Sequence, residues 1–176
     1  MRPILRSAAV LSVVLLALVA CDQPQPGTPG DAPEAGRSAF THQLQDDVSG
    51  YYRPLTPVRS GDWTLAHLFI GQGEAFTAWE DGERVAGLAP VMLEFADAAG
   101  TRTRVVPSRY TVTDSTVRFE GRSADLGEVR FDGRLDDEAL ATARRNLGDE
   151  GAVVTGTLTV GGQTTRGVGF RWWAGD

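Results

Sequence analysis

Val117-Arg118-Phe119-Glu120-Gly121-Arg122 recurs twelve residues later as Val129-Arg130-Phe131-Asp132-Gly133-Arg134. Successive side chains of an extended strand point to opposite faces, so in each copy Val, Phe and Gly share one face while Arg, acid and Arg share the other. The two copies predict a hairpin turning around Ala124 to Gly127, apolar within and charged without. Opposed arginines and carboxylates predict a cross-strand ladder on the solvent face, worth roughly 0.2–1 kcal/mol per favourable pair. Glycines at matching places predict a bend of both strands or a point where another backbone crowds in. Two copies are too few for a solenoid.

The same period extends outward in both directions. Val48 to Pro54 (VSGYYRP) reads as a first strand, with Gly50 permitting a close approach or a bulge. Asp62 to Ile70 places Trp63, Leu65, His67 and Phe69 on one side and Thr64, Ala66, Leu68 and Ile70 on the other. A strand apolar on both faces is expected to be central and covered. Glu74 to Asp81 (EAFTAWED) reads as a returning strand that ends at an Asp81-Gly82 turn. Pro90 to Ala98 puts Val91, Leu93 and Phe95 on one face. Thr101 to Thr113 is interrupted by Pro107, which has no N–H for a ladder, so it forms an edge strand or two short ones. Phe40 to Asp47 fits either a helical turn or an extended lead-in.

Asp136 to Asn146 (DDEALATARRN) predicts the one helix. Its acids lie in the first turn and Arg144 and Arg145 in the last, as the helix dipole favours, with Gly148 as C-terminal cap. Ala139, Leu140, Ala143 and Leu147 form its apolar stripe. Gly151 to Val160 and Gln163 to Trp173 predict a last hairpin. A two-residue Gly161-Gly162 turn would oppose Leu158 to Thr165 and mix the faces, so a three-residue loop is expected, with Leu158 opposite Arg166 and Val154 opposite Phe170. Eight or nine strands and one short helix near 136–147 predict a mainly β fold, an antiparallel up-and-down barrel or a sandwich.

Composition narrows function. The net charge is −6, which gives no attraction to nucleic acid. Every basic residue other than histidine is arginine, and a single cysteine excludes an internal disulfide. With only His42 and His67, no metal centre, cofactor or Ser-His-Asp triad is expected. His67 reads as a core histidine and His42 as solvated. Glu74, Glu80 and Glu94 lie on separate segments and do not define a hydrolytic pair. Asp136-Asp137-Glu138 lacks the alternating ligands of a calcium loop. Trp63, Phe69, Phe76, Trp79 and Phe95, with His67, are candidates to line a barrel interior holding a small apolar ligand. On the polar face of the last strand, Trp173 beside Arg171 is a candidate protein contact.

The N-terminal residues carry a different message. Arg2 and Arg6 precede an uncharged run, Ser7 to Ala20, that is too short for a membrane span and ends at Leu18-Val19-Ala20-Cys21. This resembles the lipobox of bacterial lipoproteins. The resemblance implies that residues 1–20 are a signal peptide, that Cys21 becomes an acylated N-terminus, and that the protein faces the periplasm from a membrane. Asp22 favours inner-membrane retention in enterobacterial lipoproteins. Residues 21–39 are Pro- and Gly-rich and read as a disordered tether, leaving 40–176 as a single β domain. Gly50-Tyr51-Tyr52 resembles the glycine and aromatic that open lipocalin-type barrels, without their tryptophan. The expected function is therefore recognition without catalysis, as a binding or adaptor protein of the cell envelope. Alternatives are a lipocalin-like carrier of a small apolar ligand, or an inhibitor or immunity lipoprotein. The Ser-Gly-x-x-Tyr motif of periplasmic lysozyme inhibitors is not matched by Ser49-Gly50-Tyr51-Tyr52.

Overall fold

The structure, a computed structural model, describes residues 39–174, so the leader, Cys21 and the tether lie outside the described residues. Eleven strands and two helices follow in order: β1 (Phe40–Gln43), β2 (Gly50–Pro54), β3 (Arg59–Ser60), β4 (Trp63–Ile70), α1 (Gly73–Glu80), β5 (Val91–Ala96), β6 (Arg102–Val105), β7 (Pro107–Thr113), β8 (Thr116–Ser123), β9 (Gly127–Leu135), α2 (Asp137–Arg145), β10 (Val154–Val160) and β11 (Gln163–Trp173). They form one curled half-barrel sheet in the order β1-β7-β8-β9-β10-β11-β2-β4-β5-β6, with β3 attached to β4. The fold is the mainly β, antiparallel architecture that the period-two pattern predicts. Among the described strands only β1 pairs in parallel, with β7. Val106 alone separates β6 from β7, and so links the β5 end of the sheet to the β8 side.

The repeat forms the β8–β9 hairpin. Ser123 opposes Gly127, Phe119 opposes Phe131, and Arg118 opposes Asp132, whose side chains pair at 3.5 Å. Val117, Phe119, Val129 and Phe131 are buried while Arg118, Arg122, Arg130 and Arg134 are exposed. The glycines mark close approach: a Cβ on Gly121 would lie 2.6 Å from the Val106 carbonyl and 2.8 Å from the Phe119 ring. A Cβ on Gly133 would lie 2.5 Å from Phe131. Each phenylalanine of the motif thus folds over the glycine two residues on, which explains why the two residue types recur together.

Four local readings are corrected. Glu74 to Asp81 is not a strand: Gly73–Glu80 is α1, so the described residues hold two helices rather than one. Phe76 and Trp79, one turn apart, are its buried residues, and Gly71-Gln72-Gly73 ends β4 just before it. In α2, the Asp136 side chain accepts from the Ala139 N–H and caps the start, but the helix ends on extended Asn146 rather than on Gly148, and Leu147 is exposed. In the last hairpin, Gly161-Gly162 is a two-residue turn after all. Leu158 does oppose Thr165, and Val154 opposes Phe170. An irregularity that includes Gly167, at φ +68°, restores the matching faces between these two pairs. An irregularity at Ala66 likewise shifts the register of β4. Leu65 therefore joins Leu68 and Ile70 in the core, and His67 and Phe69 face the other way.

The concave face is filled. Tyr52, Leu65, Leu68, Leu93, Phe95, Phe119, Phe131 and Phe170 are among the residues of one continuous cluster. A small barrel packs its interior with its own side chains in this manner.

A candidate ligand groove on the outer face of the sheet

β5 is the strand on which the site depends, because it is covered on both faces. Val91, Leu93 and Phe95 enter the core, whereas Met92 and Glu94, also buried, point outward. Above them α1 and residues 82–90 stand as a wall, so that a groove of about 440 Å³ runs along the outer face. Phe69 and Met92 form its apolar floor, and Ala75, Ala78, Trp79, Val85 and Leu88 its wall. Val85 is 63% and Leu88 47% exposed, so the groove's rim is apolar and open to solvent.

One end is polar. The Glu94 side chain is only 2% exposed and is gripped at both oxygens: Arg102 Nη1 donates to Oε1 at 2.7 Å and Arg104 Nε to Oε2 at 2.8 Å. Antiparallel pairing of β5 with β6 puts Arg104 directly opposite Glu94. Burial alone would raise the Glu94 carboxyl, but the hydrogen bonds from Arg104 and Arg102 outweigh it and hold the group below its ordinary value. His67 opposes Glu94 across β4 and β5 and stacks edge-on against Tyr51 at 5.0 Å. Burial lowers its affinity for a proton; Glu94 works against that effect, while Arg102, Arg104 and Arg53 add to it.

The Glu94 shift carries a prediction. A carboxyl depressed in the fold stabilises above its unfolded value, near 4.5, and loses that contribution as pH falls through the folded value. Glu94→Gln is expected to melt below wild type at about pH 6, where hydrogen bonds to charged groups contribute about 1.5–3 kcal/mol. The gap should narrow on acidification from about pH 6 to about pH 3, because the contribution is lost as the carboxylate is protonated. Equal gaps at both pH values, read as melting temperatures, would show that the charge on Glu94 is not what matters.

The candidate residues are divided between core and groove. Phe95 and Phe76 are core residues, and Trp63 packs partly buried against the core. His67 and Phe69 line the outer groove, and so does Trp79 although it also touches the core. The candidate set therefore does not line a common interior, a correction that follows from the register shift at Ala66 and the filled core. His67 is half-buried outside the core, where a core position was expected. His42, expected to be solvated, places Nδ1 3.0 Å from Glu80 Oε1 and stacks on Phe76. Glu80 also accepts from the Tyr110 hydroxyl at 3.1 Å, and burial first, then Glu80, pushes that hydroxyl's pKa up. Trp173 packs on Tyr51, with the Arg53 guanidinium 3.2 Å above its ring, while Arg171 pairs with Glu150.

Glu94, Arg102 and Arg104 are the site residues that sequence reasoning missed as a set. A signal existed: one acid in the otherwise apolar VMLEFA run, followed by Arg-x-Arg at hairpin distance. Among the described residues no three His, Cys, Asp or Glu side chains converge as a metal site, and no helix is long and apolar enough to cross a membrane. No family model, no curated protein and no solved structure matches this chain.

Proposed function

We propose that the chain is a binding lipoprotein of the bacterial cell envelope, held to a membrane by acylated Cys21 and facing the periplasm, which recognises a small, largely apolar ligand in the groove beside α1. The observation that supports recognition is the groove itself: an open apolar cleft with few polar groups at one end, on a domain whose core is otherwise filled. Such a combination is the usual form of a small-molecule site. The lipobox-like Leu18-Val19-Ala20-Cys21 supports the anchor, since several acyl chains hold a protein at a bilayer where one does so only marginally. The ligand reading agrees with the carrier alternative in substance but moves the ligand to the outer face.

Two measurements on the full chain test this. Cys21→Ser is expected to transfer the protein from the membrane fraction to the soluble fraction and to abolish the added acyl mass; a variant that still sediments with membranes overturns the anchor. For the groove, Ala78→Trp fills the wall side of the cleft. Native mass spectrometry of wild type purified from membranes should show a retained small molecule that Ala78→Trp loses at unchanged melting temperature. Identical spectra for the two proteins would overturn the groove.

A further inference from the structure

We infer that the groove's ligand is a single-chain amphiphile with an anionic head, its chain lying along Phe69, Met92 and Leu88 and its head on the guanidinium groups of Arg102 and Arg104. This rests on the groove reading above and adds the charge and polarity of the ligand. A single buried carboxylate needs one cation, yet Glu94 has two. Arg102 uses Nη1 and Arg104 uses Nε on Glu94, and among the described residues their other N–H groups bond to no protein acceptor. A guanidinium carries five donors in a fixed fork, so the pair retains several, and Glu94 holds both forks in place. The arginine side chains are 67% and 49% exposed, open to an incoming group.

The local charge agrees. At the polar end of the groove two arginines, Arg102 and Arg104, face one buried carboxylate, Glu94. Glu83 also lines the groove but forms no ion pair with either clamp arginine among the described residues. A protein of net charge −6 thus presents a cationic spot at one end of its apolar cleft. Charge-assisted bonds from arginine to carboxylate or phosphate are the strong, oriented kind. The apolar remainder of the cleft selects for a hydrocarbon chain rather than for a free ion.

The test uses the full chain in nanodiscs of zwitterionic lipid, with empty nanodiscs as blank, titrated calorimetrically with decanoate, decyl phosphate, decanol, decylamine and inorganic phosphate. Decanoate and decyl phosphate are expected to bind at least tenfold more tightly than decylamine, with decanol between them. Inorganic phosphate should show no binding. Arg102→Gln, which leaves Arg104 on Glu94, should weaken decanoate about tenfold and leave decanol unchanged, and Ala78→Trp should weaken both. Decylamine binding as tightly as decanoate, or Arg102→Gln without effect, overturns the anionic head while the groove stands. Inorganic phosphate binding as tightly as decyl phosphate overturns the hydrocarbon chain. No binding by any ten-carbon probe, or equal binding to Ala78→Trp, overturns the groove and the inference with it.

Discussion

Replacing Phe131 with alanine is expected to cost about 3–5 kcal/mol, the range for deleting a large aromatic from a packed interior. Phe131 is 2% exposed, sits opposite Phe119 across β8 and β9, and meets Phe170 edge-on at 5.4 Å. Its ring also covers two glycines on adjacent strands, Gly133 and Gly156, which face one another across β9 and β10. Gly133→Ala alone would drive a Cβ to within 2.5 Å of that ring, and overpacking of this kind costs about 1–3 kcal/mol. In Phe131→Ala the obstruction is absent, so the second substitution should cost much less, with a coupling energy of about 0.5–3 kcal/mol. Gly156→Ala should show less relief, because its Cβ would also meet the Asp132 carbonyl at 2.4 Å and the Gly133 Cα at 2.7 Å, which are backbone atoms. Denaturant unfolding of the full chain and the three double-mutant combinations of these sites reads this directly. Strict additivity of Phe131→Ala and Gly133→Ala would show that the ring does not dictate the glycine.

The second large effect is expected at Gly50. Its φ is +144°, and a Cβ there would lie 2.2 Å from Trp172 Nε1. That indole is not free to retreat: Nε1 donates to the Ser49 carbonyl at 3.2 Å, and Arg144 lies over the ring while also donating to Ser49 O. Gly50→Ala therefore combines backbone strain of roughly 1–3 kcal/mol with overpacking of roughly 1–3 kcal/mol, and a loss of about 3 kcal/mol or more is expected. Gly61 is the control, since it has φ +58° with nothing within 4 Å. Gly61→Ala should cost only the roughly 1–2 kcal/mol of a left-handed residue. Equal melting temperatures for the two variants would show that the Trp172 contact does not matter.

Much of the fold is legible in the sequence because burial on one face imposes a period of two, and the residues from Val117 to Arg134 state it without ambiguity. The close approach expected at Gly50 is met by Trp172. What escaped notice are places where period two is broken. Glu74–Asp81 is as long as a strand, but Phe76 and Trp79 stand three apart and pack from one helical face. The irregularities at Ala66 and Gly167 each exchange faces part-way along a strand, and no side-chain pattern announces them. The irregularity at Ala66 decides the site: with a regular β4, His67 and Phe69 would share a face with Leu65, which is buried in the core. The observed register puts them outside, beside Glu94 and the two arginines, where the groove lies.

The pairing of β11 with β2 joins almost the first described strand to the last, Tyr51 opposite Trp173. Such a contact spans most of the domain's length, and non-local pairings of this kind slow folding because a long loop must close before they form. The sheet therefore has a timing built into its topology. Synthesised from its N-terminal side, the chain can zip β8, β9 and β10 locally, but β2 acquires its second neighbour only when the final strand arrives. The order of its strands leaves the sheet of a growing polypeptide incomplete until nearly all of it has been made.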